Sequence, residues 1–239
     1  MPVNETSRRP AAPAVDPTTA AGVRRARAAR TAVVSGSAAL VLTALLHVLK
    51  PEVSIRWQTT SEYAVGRHGW VMTIAFLLSG LACGALAVAV ADPLRRRAGR
   101  IAVALLVLAS IGTCVGAIFV TDPIDTPQSE LSSSGTLHGL GAGLSLVLLP
   151  VAALLLNRDL ARSSAGRQRT LLLVSGALPL VALVVFMVAQ AVLTSRNGGT
   201  LGPGAPIGGV ERLLVLAYAA WQIVTARLTG PPAGARYTR

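Results

Sequence analysis

The stretch Ile101–Val120, IAVALLVLASIGTCVGAIFV, has 20 consecutive residues without a charge. A helix of about 20 residues is about 30 Å long, which is the thickness of the hydrocarbon core of a bilayer. The chain of 239 residues is 52% apolar and 13% charged, against about 25% charged residues in an ordinary soluble domain. Similar apolar runs lie on both sides, at residues 32–49, 70–91, 137–156, 171–193 and 210–227. We therefore predict an all-α polytopic membrane protein, a bundle of six transmembrane helices.

The residues outside the apolar runs divide the chain into three parts. Residues 1–30 lack apolar periodicity and are rich in Pro, Ala and Arg, so we predict a disordered, basic cytoplasmic tail. The transmembrane domain is predicted to cover residues 31–228, followed by a second cytoplasmic tail at 229–239. No small-residue cleavage site follows the first apolar run, which therefore predicts an uncleaved first helix.

Basic residues are distributed unequally between the two sides of the predicted bundle. The two tails and the connections 92–100 and 157–169, together with Arg227 at the end of the sixth run, carry 17 of the 22 Lys and Arg residues and 4 of the 10 acidic residues. Because basic residues stay on the cytoplasmic side of short loops, both termini are predicted to be cytoplasmic. The net charge of +12 thereby has a topological role, and no nucleic-acid partner is expected.

The composition also predicts where the protein resides. A single lysine, Lys50, stands against 21 arginines, which is typical of a GC-rich bacterial genome. The predicted location is therefore the bacterial cytoplasmic (inner) membrane. Membrane lipids are the expected partners, and the sequence leaves open whether the protein forms a homo-oligomer.

The connection between the third and fourth runs, Thr121–Gly143, has the sequence TDPIDTPQSELSSSGTLHGLGAG and is rich in acidic and hydroxyl side chains. All three histidines and six of the ten acidic residues lie on this predicted outer side. An ionisable residue near lipid is costly unless it faces protein or a water-filled cavity. The pattern predicts an outward-facing polar pocket with these candidate ligand-binding residues: His47, Glu62, Asp122, Asp125, His138, Gln190, Glu211 and Arg212.

Three interpretations of this polar layer stay open. In the favoured one, a non-enzymatic protein binds a lipid or small ligand in a sensing, transport or lipid-related role. In the second, an intramembrane metal-dependent lipid hydrolase uses His47, Asp122 and His138 as zinc ligands, with His138 and Asp122 as its candidate catalytic groups. In the third, the residues only mark where helices leave the lipid. No cofactor is predicted apart from the zinc of the second interpretation, and no HExxH, CxxC, phosphate-loop or dinucleotide motif occurs.

Glu211 and Arg212 open the last apolar run. Adjacent helical residues point about 100° apart, so the two are predicted not to face one partner. Glu211 is predicted to favour the positive end of the helix. Arg212 is predicted either to extend to the membrane interface or to pair with Asp122 or Asp125 and close the pocket.

Three pairs of glycines lie four residues apart and therefore on one face of a helix: Gly80–Gly84, Gly112–Gly116 and Gly139–Gly143. Such a face lets a neighbouring backbone approach closely. The spacing predicts contacts between helices within the bundle.

Three segments together resemble a known family. They are SEYAVGRHGWVM at Ser61–Met72, the DPxxT…G…H pattern of Asp122–His138, and GGVERLLVLAYAAWQIVTARL at Gly208–Leu228. With these segments the chain resembles the domain of unknown function 998 family of bacterial membrane proteins, over about Val33 to Leu228. The resemblance implies a multi-helix membrane domain without an assigned activity. It also implies that the family's pattern positions are held by Asp122, Pro123, Gly135, His138, Glu211 and Arg212.

Overall fold

A computed structural model of the chain describes residues 19–91, 94, 96–199 and 201–230. Within these residues there are six α-helices and no strand. The helices are α1 (Ala20–Leu49), α2 (Gly69–Ala91), α3 (Arg97–Ile118), α4 (Ser133–Ala161), α5 (Gly166–Arg196) and α6 (Ile207–Thr229). All six are long and apolar enough to cross a membrane. The predicted all-α, six-helix polytopic fold is therefore confirmed.

Consecutive helices pack side by side, and α6 closes the bundle by contacting α1, α2 and α4 as well as α5. Arg25 Nε donates to the Ala89 carbonyl (3.1 Å), and Gln168 Nε2 donates to the Leu228 carbonyl (3.2 Å). These bonds join the start of α1 to the end of α2, and the start of α5 to the end of α6. We call this the arginine end (residues 19–30, 96–100, 157–169 and 226–230) and the opposite one the acidic end (47–69, 118–138 and 201–212).

Large apolar side chains cover the outside of the bundle, whereas its interior is rich in alanine. Val34, Ile118 and Leu140 are 68%, 67% and 66% exposed. An apolar surface of this extent would drive aggregation in water, whereas in a bilayer it faces hydrocarbon. Small interior residues let the helix backbones approach closely, which replaces the hydrophobic drive that lipid removes.

Glycines mediate the closest helix contacts. A Cβ on Gly80 would lie 2.8 Å from Cys114 Sγ, and one on Gly112 would lie 2.7 Å from the Gly141 carbonyl. The first two predicted glycine pairs thus face neighbouring helices. The third prediction is wrong for this single chain, because a Cβ on Gly139 or Gly143 would meet nothing within 4 Å. Gly141, two residues from each and therefore about 200° away around the helix, makes the contact instead.

The helices extend beyond the predicted apolar runs. The first begins at Ala20 rather than at residue 32, and the predicted disordered tail is corrected accordingly for residues 20–30. Ala and Arg are strong helix formers, and Thr19 Oγ1 caps the helix by accepting from Gly22 N (3.1 Å). At about 45 Å, these 30 residues exceed a bilayer core. The rest of the predicted tails, residues 1–18 and 231–239, lies outside the described residues.

A buried amide joins three helices near the arginine end. Asn157 on α4 donates through Nδ2 to the Leu172 carbonyl (2.9 Å) and to Ser175 Oγ (3.1 Å) on α5. Its Oδ1 accepts from Trp221 Nε1 and Thr225 Oγ1 of α6, both at 3.3 Å. Because every polar atom has a partner, the network specifies how α4, α5 and α6 pack.

The charge distribution predicts which end of the bundle is cytoplasmic. Fluorescent protein fused after Arg162 is expected to fluoresce, and alkaline phosphatase fused after Glu130 is expected to be active, because these reporters work only in the cytoplasm and the periplasm respectively. The measurement uses both reporters at both positions in bacteria. An active phosphatase after Arg162 would reverse the orientation.

Gly141→Ala is expected to lower the melting temperature of the detergent-solubilised protein by about 3–8 °C, because overpacking a helix contact costs about 1–3 kcal/mol. The added Cβ would lie 2.7 Å from the Gly112 carbonyl. Gly143→Ala, two residues further along α4, is the matched control and is expected to change the melting temperature by less than about 2 °C. Equal effects of the two substitutions would contradict the packing described here.

Candidate functional site

The connection after α1, residues 51–68, folds back over the acidic end around Lys50. The side chain of Lys50 is only 3% exposed. Its Nζ donates to the Tyr63 carbonyl (3.1 Å) and to the Val65 carbonyl. A lysine that ends an apolar helix would ordinarily extend to water, whereas here the following chain encloses its ammonium group.

Glu62 holds the same connection in shape. Its carboxylate accepts from Gln58 Nε2 (2.9 Å) and from the backbone N–H of Thr59 (2.9 Å). The Gln58 side chain in turn accepts from the Ser54 backbone (2.8 Å). Glu62 thereby caps the 3₁₀ turn Thr60–Ala64. The carboxylate of this candidate ligand-binding residue is therefore already hydrogen-bonded within the connection.

The first turn of α6 clamps this connection from the side. The Glu211 carboxylate accepts from Thr60 Oγ1 (2.6 Å) and Thr60 N (3.2 Å). The Arg212 guanidinium donates through Nη1 to the carbonyls of Gln58 (2.8 Å) and Ile55 (3.2 Å). We call these contacts, together with those of Arg212 to Tyr63 and His47 described next, the Arg212 clamp. As predicted for adjacent helical positions, the two side chains do not share a partner residue: Glu211 contacts Thr60, whereas Arg212 contacts Gln58 and Ile55 in the same connection.

The rest of the Arg212 side chain contacts α1 and an aromatic ring. Nη2 donates to Tyr63 Oη (3.2 Å), and the guanidinium carbon lies 5.6 Å from the centre of the Tyr63 ring. Nε donates to His47 Nε2 (3.1 Å). Among the described residues Arg212 forms no ion pair with Asp122 or Asp125, so that alternative is not observed.

The partners of His47 determine its tautomer. Nε2 accepts from Arg212, and Nδ1 lies 2.8 Å from the Thr43 carbonyl, which only accepts. These contacts assign the ring proton to Nδ1. Both nitrogens are engaged, so His47 would have to leave the Arg212 clamp before it could bind a metal.

Gly208 lets α6 approach the connection after α1. A Cβ at this position would lie 2.3 Å from the Gln58 carbonyl and 2.8 Å from the Ile55 carbonyl. Beside it, Gly209 N donates to the Arg56 carbonyl (3.3 Å). These short distances show that the Arg212 clamp depends on direct backbone contact.

A second group of polar contacts joins α3 to α4. The Asp122 carboxylate accepts from Ser132 N (2.8 Å) and Ser132 Oγ (2.9 Å) at the start of α4. A Cβ on Gly135 would lie 2.1 Å from Asp122 Oδ2. Aspartate at a helix N-terminus satisfies free N–H groups and favours the helix dipole. We call this group, together with His138, the α3–α4 joint.

His138 completes the α3–α4 joint from the second turn of α4. Its Nδ1 donates to the carbonyls of Gly116 (2.8 Å) and Phe119 (2.9 Å), at the end of α3 where carbonyls lack partners within the helix. The ring is buried and meets Phe76 edge-on at 5.9 Å. The position of His138 is thus explained by the joint itself.

The candidate residues therefore do not form one constellation. His47, Glu211 and Arg212 belong to the Arg212 clamp, whereas Asp122 and His138 belong to the α3–α4 joint. Gln190 is half-buried on α5 and takes part in neither. Within the described residues, no three His, Cys, Asp or Glu side chains are grouped as a metal site. Zinc binding stays a prediction.

A cleft of about 400 Å³ lies between the connections after α1 and α3. Buried Lys50 and Glu62 line it together with exposed Glu52 and Asp125 and half-buried Trp57. We call it the Lys50 cleft. Glu62 and Asp125 are among the candidate residues predicted from the sequence, whereas Lys50, Glu52 and Trp57 are not, although a lone lysine directly after an apolar run was a usable signal.

The helices, the Arg212 clamp and the α3–α4 joint define a polytopic membrane protein with a polar cleft at one end of its bundle. The family model described as Protein of unknown function (DUF998) matches residues 19–228. The chain belongs to this family, which confirms the resemblance and extends it to the start of α1. Neither a curated protein nor a solved structure matches the chain.

Gly208→Ala is expected to lower the melting temperature in detergent by about 3–10 °C, because its Cβ would collide with backbone that the Arg212 clamp holds in place. Gly209→Ala is the matched control, since a Cβ there meets nothing within 4 Å. The measurement is thermal unfolding followed by size-exclusion chromatography. A Gly208→Ala protein as stable as the control would show that the connection after α1 is not clamped.

Proposed function

We propose that this protein binds the headgroup of a membrane lipid in the Lys50 cleft and serves as a non-enzymatic lipid-binding protein, in a sensing or transport role. The observation that carries the proposal is the buried Lys50 residue, which lines the cleft. A buried cation is costly unless a partner compensates it. The phosphate group of a lipid headgroup would supply that partner.

The surroundings of the cleft support a lipid over a ligand from water. Val48 and Leu49, immediately before Lys50, are exposed, and so is Val65, which lines the cleft. Polar cleft and apolar surface thus lie side by side at the end of α1. A lipid joins a polar headgroup to apolar chains in the same way, so its chains would lie along these side chains while its headgroup enters the cleft.

The two other interpretations have less support. A metal-dependent lipid hydrolase would need His47, Asp122 and His138 to leave the partners that hold them in the Arg212 clamp and the α3–α4 joint. A purely structural subunit would leave the enclosed ammonium and the cleft without a use. With the orientation expected from the arginine distribution, the Lys50 cleft would open to the outside of a bacterial cytoplasmic membrane.

Native mass spectrometry of the gently solubilised protein tests this function. We expect one phospholipid to stay bound to the wild-type chain, and Lys50→Met to lower its occupancy about tenfold, since a charge-assisted hydrogen bond contributes about 1.5–3 kcal/mol. Arg67→Met is the matched control, because Arg67 is exposed in the same connection and does not line the cleft.

Equal lipid occupancy in the Lys50→Met and Arg67→Met proteins would refute the proposal. Because Lys50 also donates to two backbone carbonyls, its replacement could unfold the connection after α1. Trp57→Ala, which removes a half-buried side chain from the cleft lining, gives an independent reading, and it is expected to lower the lipid occupancy as well.

A further inference from the structure

We infer that the Lys50 cleft selects a zwitterionic headgroup, in which a phosphate contacts Lys50 and an amine contacts Glu52 and Asp125. This inference rests on the proposed function and names the chemistry of the ligand. The headgroup would have an amine joined through a short linker to a phosphodiester, as in phosphatidylethanolamine.

The first part of the inference concerns the anion. Lys50 Nζ has three N–H groups and uses two on the neutral carbonyls of Tyr63 and Val65. Among the described residues, no carboxylate forms an ion pair with Lys50. One N–H group of Lys50 thus has no acceptor among the described residues, and no described carboxylate is paired with its charge. Phosphate oxygens are strong acceptors for such an ammonium group.

The second part concerns the cation. Glu62 is engaged by Gln58 and Thr59, whereas Glu52 and Asp125 make no hydrogen bond to any described residue. These two exposed carboxylates come from different connections and line the same cleft. Trp57 adds an aromatic surface that favours an ammonium group.

The charges together exclude simpler ligands. With Glu52, Glu62 and Asp125 against the single Lys50, the cleft lining has a net negative charge and repels a headgroup that is only anionic. A ligand that is only cationic would leave Lys50 without a counter-ion. A zwitterion satisfies both requirements at once.

The volume of the cleft fits a headgroup and not a whole lipid. Sites for drug-sized ligands measure about 300–1,000 Å³, and the Lys50 cleft has about 400 Å³. The acyl chains would therefore stay outside, along exposed Val65 at the edge of the cleft. The ligand would span the connections after α1 and α3.

The experiment compares lipids on the full chain. Native mass spectrometry with equimolar phosphatidylethanolamine and phosphatidylglycerol is expected to show about tenfold higher occupancy by the ethanolamine lipid. The double variant Glu52→Gln, Asp125→Asn is expected to lose this preference and keep total binding, because both side chains are exposed and outside the clamp and joint. Glu130→Gln, an exposed acidic residue at the same end and outside the cleft, is the control and is expected to keep the preference.

Each outcome decides one point. Equal occupancy by the two lipids in the wild type, or an unchanged preference in the double variant, would overturn the zwitterion inference and leave lipid binding intact. Binding of neither lipid would overturn the proposed function as well. Free phosphoethanolamine is added as a competitor: if it displaces the lipid at micromolar concentration, the ligand is the soluble zwitterion, and if it does not, the ligand is the lipid-borne headgroup.

Discussion

The Arg212 guanidinium is the interaction on which the acidic end depends. A chain that leaves a membrane helix must satisfy the polar groups of its backbone near a medium that offers few partners. Arg212 supplies donors to the carbonyls of Ile55 and Gln58 and at the same time fixes His47 on α1. One side chain from the last helix therefore helps to hold the first connection, together with Glu62 and Glu211.

The α3–α4 joint follows the same physical rule at a second place. His138 satisfies carbonyls at the end of α3, and Asp122 accepts from the N–H and the hydroxyl of Ser132 at the start of α4. Only glycine at position 135 lets the Asp122 carboxylate come so close, since a Cβ there would lie 2.1 Å from Asp122 Oδ2. The family pattern positions in this segment thus have an architectural explanation. Their presence marks a way of joining membrane helices and does not by itself indicate a reaction.

The sequence allowed the fold to be predicted because runs of 18 to 23 apolar residues with little or no charge leave few alternatives to a spanning helix. It did not allow the rotation of α4 to be predicted. That helix is apolar on nearly all sides, so no pattern distinguishes Gly141, which contacts α3, from Gly139 and Gly143, which do not. The candidate residues, apart from Gln190, lie in the segments of the acidic end. The separation of the polar residues into the Arg212 clamp, the α3–α4 joint and the Lys50 cleft depends on how residues 51–68 fold back. This connection has no apolar periodicity from which its fold could be predicted.

The division of the polar residues also separates those that the fold requires from those that it does not. Four of these side chains form hydrogen bonds with backbone or side-chain groups of the protein, so most of their donors and acceptors have partners: Arg212, Glu211, His138 and Asp122. The charge of Lys50 is compensated only in part, because the acceptors of its hydrogen bonds are neutral carbonyls. Glu52 and Asp125 form no hydrogen bond with any described residue. Enclosing a cation costs free energy, and the proposed ligand would offset part of that cost. The uncompensated charges lie together in one cleft at the edge of the apolar surface, and a headgroup entering from the lipid would compensate them.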